Sequence, residues 1–346
     1  MKVYIKGRSK VKIIVDAMGG DNAPAEILKG ICAARRFGVQ LAAVGRVEEM
    51  QACAKEQGLD LTGIELVNAS EVIEMCDEPA RAIRRKKDSS LVVGLRMLAE
   101  GQGDAFVSAG STGALHVGSS LIVRTIKGVK RPALASVIPG AKKPYLLMDC
   151  GANVECRPAM LEAFGVMGSV YMNKVMGVAS PAVALVNNGA EETKGTPLYK
   201  EAHQRLKANT AIRFVGNIEP RDIPSGDADV VVCDGFTGNV ILKLTEGLAR
   251  SLLGMVKQIM TASPLTKLGA MTMLGGMKQL KKKMDSEEVG GAPLLGTARP
   301  VIKAHGSSKA RGIENAIRQA VICVENDMVG TMAAALAQAA PADEEE

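Results

Sequence analysis

Short β-rich apolar runs, most of them closed by a polar or glycine-bearing turn, recur along this chain with segments of helical period between them. No other feature restricts the fold as much, because strand, crossover helix and strand in repetition build a largely parallel sheet covered by helices. The first run is residues 11–17. Further strand candidates are 41–45, 64–67, 105–108, 133–138, 145–148, 182–186, 212–215 and 230–233. After the first of them Pro24 stands at a first helical position, and Ile27, Leu28, Ile31 and Ala34 make an apolar face. The expectation is a doubly wound α/β body whose ligand crevice lies at the carboxyl ends of its strands.

The pattern changes at Asn239. A helical stretch runs to about Met260, breaks at Ser263-Pro264 and resumes from Leu265 to Met284 with no strand in it. Residues 240–285 are therefore expected to project as a helical hairpin. Its second arm carries Met273, Met277, Leu280 and Met284 at helical spacing, with Lys278, Lys281, Lys282 and Lys283 on the other faces. Two readings of that arm stand side by side: packing in a dimer bundle, or lying on an anionic membrane surface. Residues 333–346, Ala-rich and ending in Asp343 to Glu346, read as a frayed tail. The chain as a whole, 1–346, reads as one domain without an internal repeat.

Composition narrows the partners. Aromatic residues make up 3% with no Trp, so the stacking platforms that hold single-stranded nucleic acid or sugars are poorly supplied. The net charge of +6 comes from 43 Lys and Arg against 37 Asp and Glu, a balance too even for coating a duplex; no nucleic-acid partner is expected. Seven cysteines without a C-x-x-C pair indicate neither a disulfide framework nor a zinc knuckle, and fit a reduced cytoplasmic setting. The apolar stretch after the basic N-terminus is only Ile13 to Val15, too short for a signal-peptide core, and no run approaches the roughly 20 residues that span a bilayer.

Chemistry-bearing residues gather at the strand ends. Ser108-Ala109-Gly110-Ser111-Thr112-Gly113 leads from a strand into a helix, the geometry that aims backbone N–H groups and hydroxyls at an anion; a plain turn with a Ser or Thr cap is the bland alternative. Asp149-Cys150-Gly151-Ala152-Asn153 has the same construction, and Asp149 either orients a donor or closes an Asx turn. The loop Asn187-Asn188-Gly189-Ala190-Glu191-Glu192-Thr193-Lys194-Gly195 frames a lysine with glycines and carboxylates, suited to clamping phosphate or simply to solvent. Asp234 closes a further strand, Asn239 offers an amide to a developing oxyanion, and Lys243 lies one turn inside the helix. His116, His203 and His305 lack a paired acid at recognisable spacing, and only His305 sits in a Gly-Ser loop. With no His-Glu-x-x-His, G-x-G-x-x-G or G-x-x-x-x-G-K, no metal and no cofactor are expected.

Together these segments resemble the PlsX-type phosphate acyltransferases. The carrying stretches are Val15-Asp16-Ala17-Met18-Gly19-Gly20-Asp21, the turns around Ser108, Asp149 and Asn187, Gly216-Asn217-Ile218-Glu219, Asp234 to Asn239, Gly290-Gly291-Ala292-Pro293-Leu294-Leu295-Gly296 and His305-Gly306. Asn188, Ala190 and Thr193 depart from the family's usual residues. The resemblance implies a fold of the isocitrate/isopropylmalate dehydrogenase and phosphotransacetylase type, and the formation of acyl-phosphate from acyl-acyl carrier protein and inorganic phosphate early in phospholipid synthesis. It implies catalytic roles for Lys194 and Asn239, with Asp16, Ser108, Ser111, Thr112, Gly113, Asp149, Asn153, Asn187, Glu191, Asp234, Lys243 and His305 binding phosphate or the acyl group. It also implies a homodimer whose product passes to a membrane glycerol-3-phosphate acyltransferase, and hence a cytoplasmic protein in peripheral contact with membrane. The basic run Arg84-Arg85-Lys86-Lys87 is a candidate dock for the acidic carrier, or a solvated face. A phosphotransacetylase using coenzyme A and a non-catalytic membrane-associated scaffold are the competing functions; a dehydrogenase lacks the paired-carboxylate metal motif it would need.

Overall fold

The computed structural model describes residues 11–283 and 290–339. Its strands are β1 (Lys12–Asp16), β2 (Gln40–Gly45), β3 (Ile64–Asn68), β4 (Ala105–Ser108), β5 (Ala133–Ile138), β6 (Tyr145–Met148), β7 (Ala182–Val186), β8 (Arg213–Ile218), β9 (Val230–Val232), β10 (Ala292–Leu295) and β11 (Val301–Lys303). They join into one 11-stranded sheet in the order β3-β2-β1-β4-β11-β10-β5-β6-β9-β7-β8. The nine expected strands are all present within a few residues of their expected limits, and β10 and β11 are additional.

Strands β3, β2, β1, β4 and β11 are mutually parallel, as are β6, β9, β7 and β8. Between these halves the pairs β11–β10, β10–β5 and β5–β6 are antiparallel, so the two parallel halves run in opposite directions. The strand register shows why the sheet needs helices on both faces. Ile13 and Val15 point into one apolar cluster and Ile14 into the other, all at most 1% exposed. Continuous burial of successive residues marks a strand covered on both sides.

One face is covered by α1 (Ala25–Ala34), α6 (Pro158–Lys174), α10 (Ala310–Glu325) and α11 (Met328–Ala339), which contribute Ile27, Phe164, Ile317 and Met332 to the first cluster. The other face is covered by α3 (Pro79–Arg85), α4 (Ser90–Ala99) and α5 (Thr112–Gly118), through Ile83, Leu95 and Leu115. The remaining helices of the body are α2 (Val47–Glu56) and α7 (Pro197–Ala208).

The long helical segment divides into α8 (Gly235–Thr261) and α9 (Pro264–Lys283), which pack against each other. The break falls at Ser263, whose hydroxyl accepts from the Thr266 amide at 3.1 Å. Met284 of the expected stripe lies outside the described residues, as do the side chains of Leu280, Lys278 and Lys281 to Lys283. Residues 333–339, expected as tail, continue α11 with Ala333 and Leu336 partly buried against the core; residues 340–346 lie outside the described part. Among the described residues no single helix is long and apolar enough to cross a membrane.

Candidate active site

Three corners from the first half of the sheet lock together. At the end of β1, the Asp16 carboxylate accepts from the Ser108 hydroxyl at 2.7 Å and from the Met18 amide at 3.2 Å, and the Ser108 hydroxyl accepts from the Gly110 amide at 3.0 Å. Burial pushes the Asp16 carboxyl above the ordinary carboxylate range, and the Ser90 and Ser108 hydroxyls partly offset it. A Cβ on Gly19 would lie 2.7 Å from the Gly110 nitrogen and one on Gly20 2.9 Å from the Gly306 carbonyl oxygen. Only glycine allows this approach, and it lets the Asp21 amide donate to the Gly306 carbonyl at 2.8 Å.

A second construction stands at the ends of β6 and β9. Asp149, fully buried, takes the amides of Leu134, Gly151, Ala152 and Asn153 and the side-chain amide of Asn153, all between 2.7 and 3.1 Å. Its carboxylate thus holds the whole turn in shape. The first turn of α8 docks on it: the Gly235 amide donates to the Asn153 carbonyl at 2.7 Å, and a Cβ on Gly238 would stand 1.8 Å from the Asp149 carbonyl oxygen. Asp234 caps the helix by accepting from the Thr237 amide and hydroxyl at 2.8 and 2.9 Å and from the Tyr199 hydroxyl at 2.5 Å. This docking brings Asn239, exposed, alongside Gly151.

Between the two constructions a cleft of ≈ 480 Å³ runs across β5 and β10. Of the residues expected at the site, Thr112, Asn239, Lys243 and His305 line it, joined by Asp21, Gly151, Lys303, Ser307 and Ser308. Lys243 donates to Glu246 at 2.9 Å on the same wall. His305 shares its Nδ1 with the Ser307 hydroxyl at 2.9 Å. The cleft mouth is apolar, with Met75, Val154 and Phe236 all more than half exposed.

The other expected residues lie beneath the cleft or away from it. Ser108, Asp16, Asp149 and Asn153 are buried bracing. The Ser111 hydroxyl accepts from the Ala114 amide at 3.4 Å as the cap of α5, and Gly113 faces Pro79. Asn187 lines a second cavity with Gly195, Thr196, Tyr199 and Thr237. Its side chain braces the loop, donating to the Lys194 carbonyl at 3.1 Å and accepting from the Asn188 amide at 2.9 Å. Glu191 and Lys194 are exposed on that loop and line neither cavity. The first turn of α8 separates the two spaces, with Thr237 on one side and Phe236 and Asn239 on the other.

Cysteine chemistry is disfavoured. Cys150 reaches the cleft wall, but burial holds its thiol far above its ordinary range, and burial pushes Cys156 up to about 12. The Lys303 side chain, which the motif reading passed over, is 7% exposed at the end of β11. The available signal is its position: it closes a short apolar run immediately before a small-residue corner, as Ser108 does on the neighbouring strand.

A cleft bounded by cations, amide and hydroxyl donors and an apolar mouth, between the halves of an α/β sheet, has the makings of a site for group transfer between anionic and acyl ligands. The comparisons with known proteins place it further. Residues 11–330 match the family model described as "Fatty acid synthesis protein". A phosphate acyltransferase of Thermoanaerobacterium thermosaccharolyticum is 48% identical over 320 residues, 92% of this chain and 95% of that protein; one of Clostridium acetobutylicum is 44% identical over 319 residues, 92% and 96%. The chain belongs to the phosphate acyltransferase (PlsX) family. In fold it is similar to a phosphotransacetylase from Streptococcus pyogenes (TM-score 0.62, 17% identity, 95% of this chain and 94% of that one) and to EutD phosphotransacetylase from Staphylococcus aureus (0.60, 18%, 92% and 94%).

Proposed function

We propose that the protein transfers the acyl group of an acyl-acyl carrier protein to inorganic phosphate, releasing acyl-phosphate and the carrier thiol for phospholipid synthesis. The observation that carries this reading is the cleft itself: it joins a floor of hydroxyl, amide and ammonium donors to an apolar mouth, and burial keeps the thiol of Cys150 on its wall protonated. Phosphate is already anionic at neutral pH and a thiolate is a good leaving group, so direct transfer needs placement and charge neutralisation rather than a covalent intermediate. A phosphate oxygen attacks the thioester carbon, the carbonyl electrons pass to oxygen, and their return expels the thiolate, which takes up a proton. Asn239, exposed beside Gly151, donates its side-chain amide to that oxyanion. Thr112, Ser307 and Ser308 supply hydroxyls to the phosphate side. Lys194, exposed on the glycine-flanked loop beside the second cavity, meets negative charge arriving from outside. The acyl chain leaves through Val154, Phe236 and Met75.

The test is phosphate-dependent acyl-phosphate formation, trapped with hydroxylamine as the hydroxamate, from matched acyl-carrier-protein and acyl-coenzyme A donors. The carrier-protein thioester is expected to react far faster. Equal use of both donors overturns the carrier assignment in favour of a phosphotransacetylase, and no phosphate-dependent loss of thioester overturns the enzymatic reading altogether. In single-turnover experiments Asn239→Ala and Lys194→Ala proteins are expected to slow; unchanged rates in both remove those roles.

A further inference from the structure

Lys303 is the one lysine or arginine buried among the described residues. Long cationic side chains are almost never buried without a partner, because the desolvated ammonium is costly. Its Nζ donates to two backbone carbonyls, that of Ala109 at 3.2 Å and that of Ala304, and pairs with no carboxylate among the described residues. Asp16 and Asp21 both act on it electrostatically without an ion pair: Asp16 accepts from Ser108 and Met18, and Asp21 stands on the cleft wall. Three N–H bonds and two carbonyl acceptors leave one donor and the unit charge for the cleft that Lys303 lines.

The position is fixed as well as charged. Register pairs Lys303 with Ser108 on β4, and both carbonyls that hold the ammonium belong to corners locked by the Gly20 and Gly306 approach. Lys243, by contrast, is largely exposed and already paired with Glu246, and Lys194 lines neither cavity. We propose that Lys303 is the fixed cation of the phosphate subsite, its third N–H donating to an oxygen of inorganic phosphate held between Thr112 and the His305–Ser308 corner. This rests on the acyl-phosphate reading and names the residue that binds the attacking anion. A preorganised, desolvated ammonium does this better than a solvated one because no reorganisation is needed when the anion arrives.

The test is calorimetric binding of inorganic phosphate to the native protein and to Lys303→Met, with circular dichroism and thermal unfolding recorded for both. The native protein is expected to bind, and Lys303→Met to bind about ten- to a hundredfold more weakly, the loss typical of a charge-assisted hydrogen bond. The Michaelis constant for phosphate should rise in proportion while that for the acyl donor stays put. A second variant, Lys303→Ala, leaves room for an amine, and added ethylammonium is expected to restore part of the phosphate affinity. Native-like phosphate binding by either folded variant, or no phosphate binding by the native protein, overturns the proposal. The two readings fail separately. A native protein that binds phosphate through Lys303 yet forms no acyl-phosphate sinks the reaction alone, and one that forms acyl-phosphate with Lys303→Met as active at low phosphate sinks the Lys303 assignment alone.

Discussion

Lys303 also leaves a mark on stability that is independent of any ligand. Burial lowers its side-chain pKa from 10.5 to about 8, with Lys243 adding to the effect and Asp16 and Asp21 opposing it. Between those two values the unfolded chain holds a proton that the folded one has released, so stability rises with pH there; below about 8 both states are protonated and the full cost of burying the charge is present. Relative to Lys303→Met, the native protein should therefore gain up to about 3 kcal/mol between pH 8 and pH 10.5. Urea unfolding of both proteins in phosphate-free buffer at pH 7.5 and 10 measures this. A stability difference that does not change with pH would mean the ammonium is not desolvated as described. At the same scale Asp149 shows the opposite economy: a buried carboxylate surrounded by five donors tolerates no neutral replacement that brings its own N–H, so Asp149→Asn is expected to lose about 3 kcal/mol, read as a drop in urea midpoint.

At the scale of elements, α8 is the part that turns a corner into a site, and two of its glycines separate the causes. A Cβ at Gly238 collides with the Asp149 carbonyl, whereas one at Gly247 meets nothing within 4 Å. Gly238→Ala should cost about 3 kcal/mol, the upper end of overpacking against backbone, and should slow single-turnover transfer as Asn239→Ala does, because the docked turn is displaced. Gly247→Ala should stabilise by up to about 1 kcal/mol through helix propensity alone. Urea titrations and rapid-quench assays on both proteins check this, and equal behaviour of the two would dissolve the docking argument. The same element shows what the sequence can and cannot convey. The nine anticipated strands were legible because each is an apolar run fenced by turn residues. β10 was not, since Ala-Pro-Leu-Leu follows two glycines and reads as loop, and β11 was not, since Val-Ile-Lys is only three residues; pairing with β5 and β4 makes them strands. The corners at Ser108, Asp149 and Asp234 were visible one by one, but their convergence depends on strand order. Lys303 stayed hidden because lysine in sequence defaults to solvent.

At the scale of the whole molecule the unfinished surface is along α8. Phe236, Val240, Leu244, Leu248, Leu252 and Ile259 recur at near-helical spacing, each between 48% and 69% exposed. The sequence alone suggested a stripe on the second arm; burial shows a continuous one on the first, where an apolar face would ordinarily be read as core-facing. A row of that length left open to water calls for a cover, and its first member, Phe236, is part of the apolar mouth of the cleft. A second copy of the chain would serve as that cover, because an isologous pairing of two such helices buries the row on both partners at once. Replacing Leu248 and Leu252 together by Glu introduces charge at the middle of the row without touching the cleft lining. The native protein is expected to sediment as a dimer and the double variant as a monomer with unchanged circular dichroism. Its transfer of long acyl chains should fall more than that of short ones, since the mouth then opens to water. A native protein that sediments as a monomer, and floats with anionic liposomes only while Leu248 and Leu252 are intact, would assign the row to a membrane surface instead.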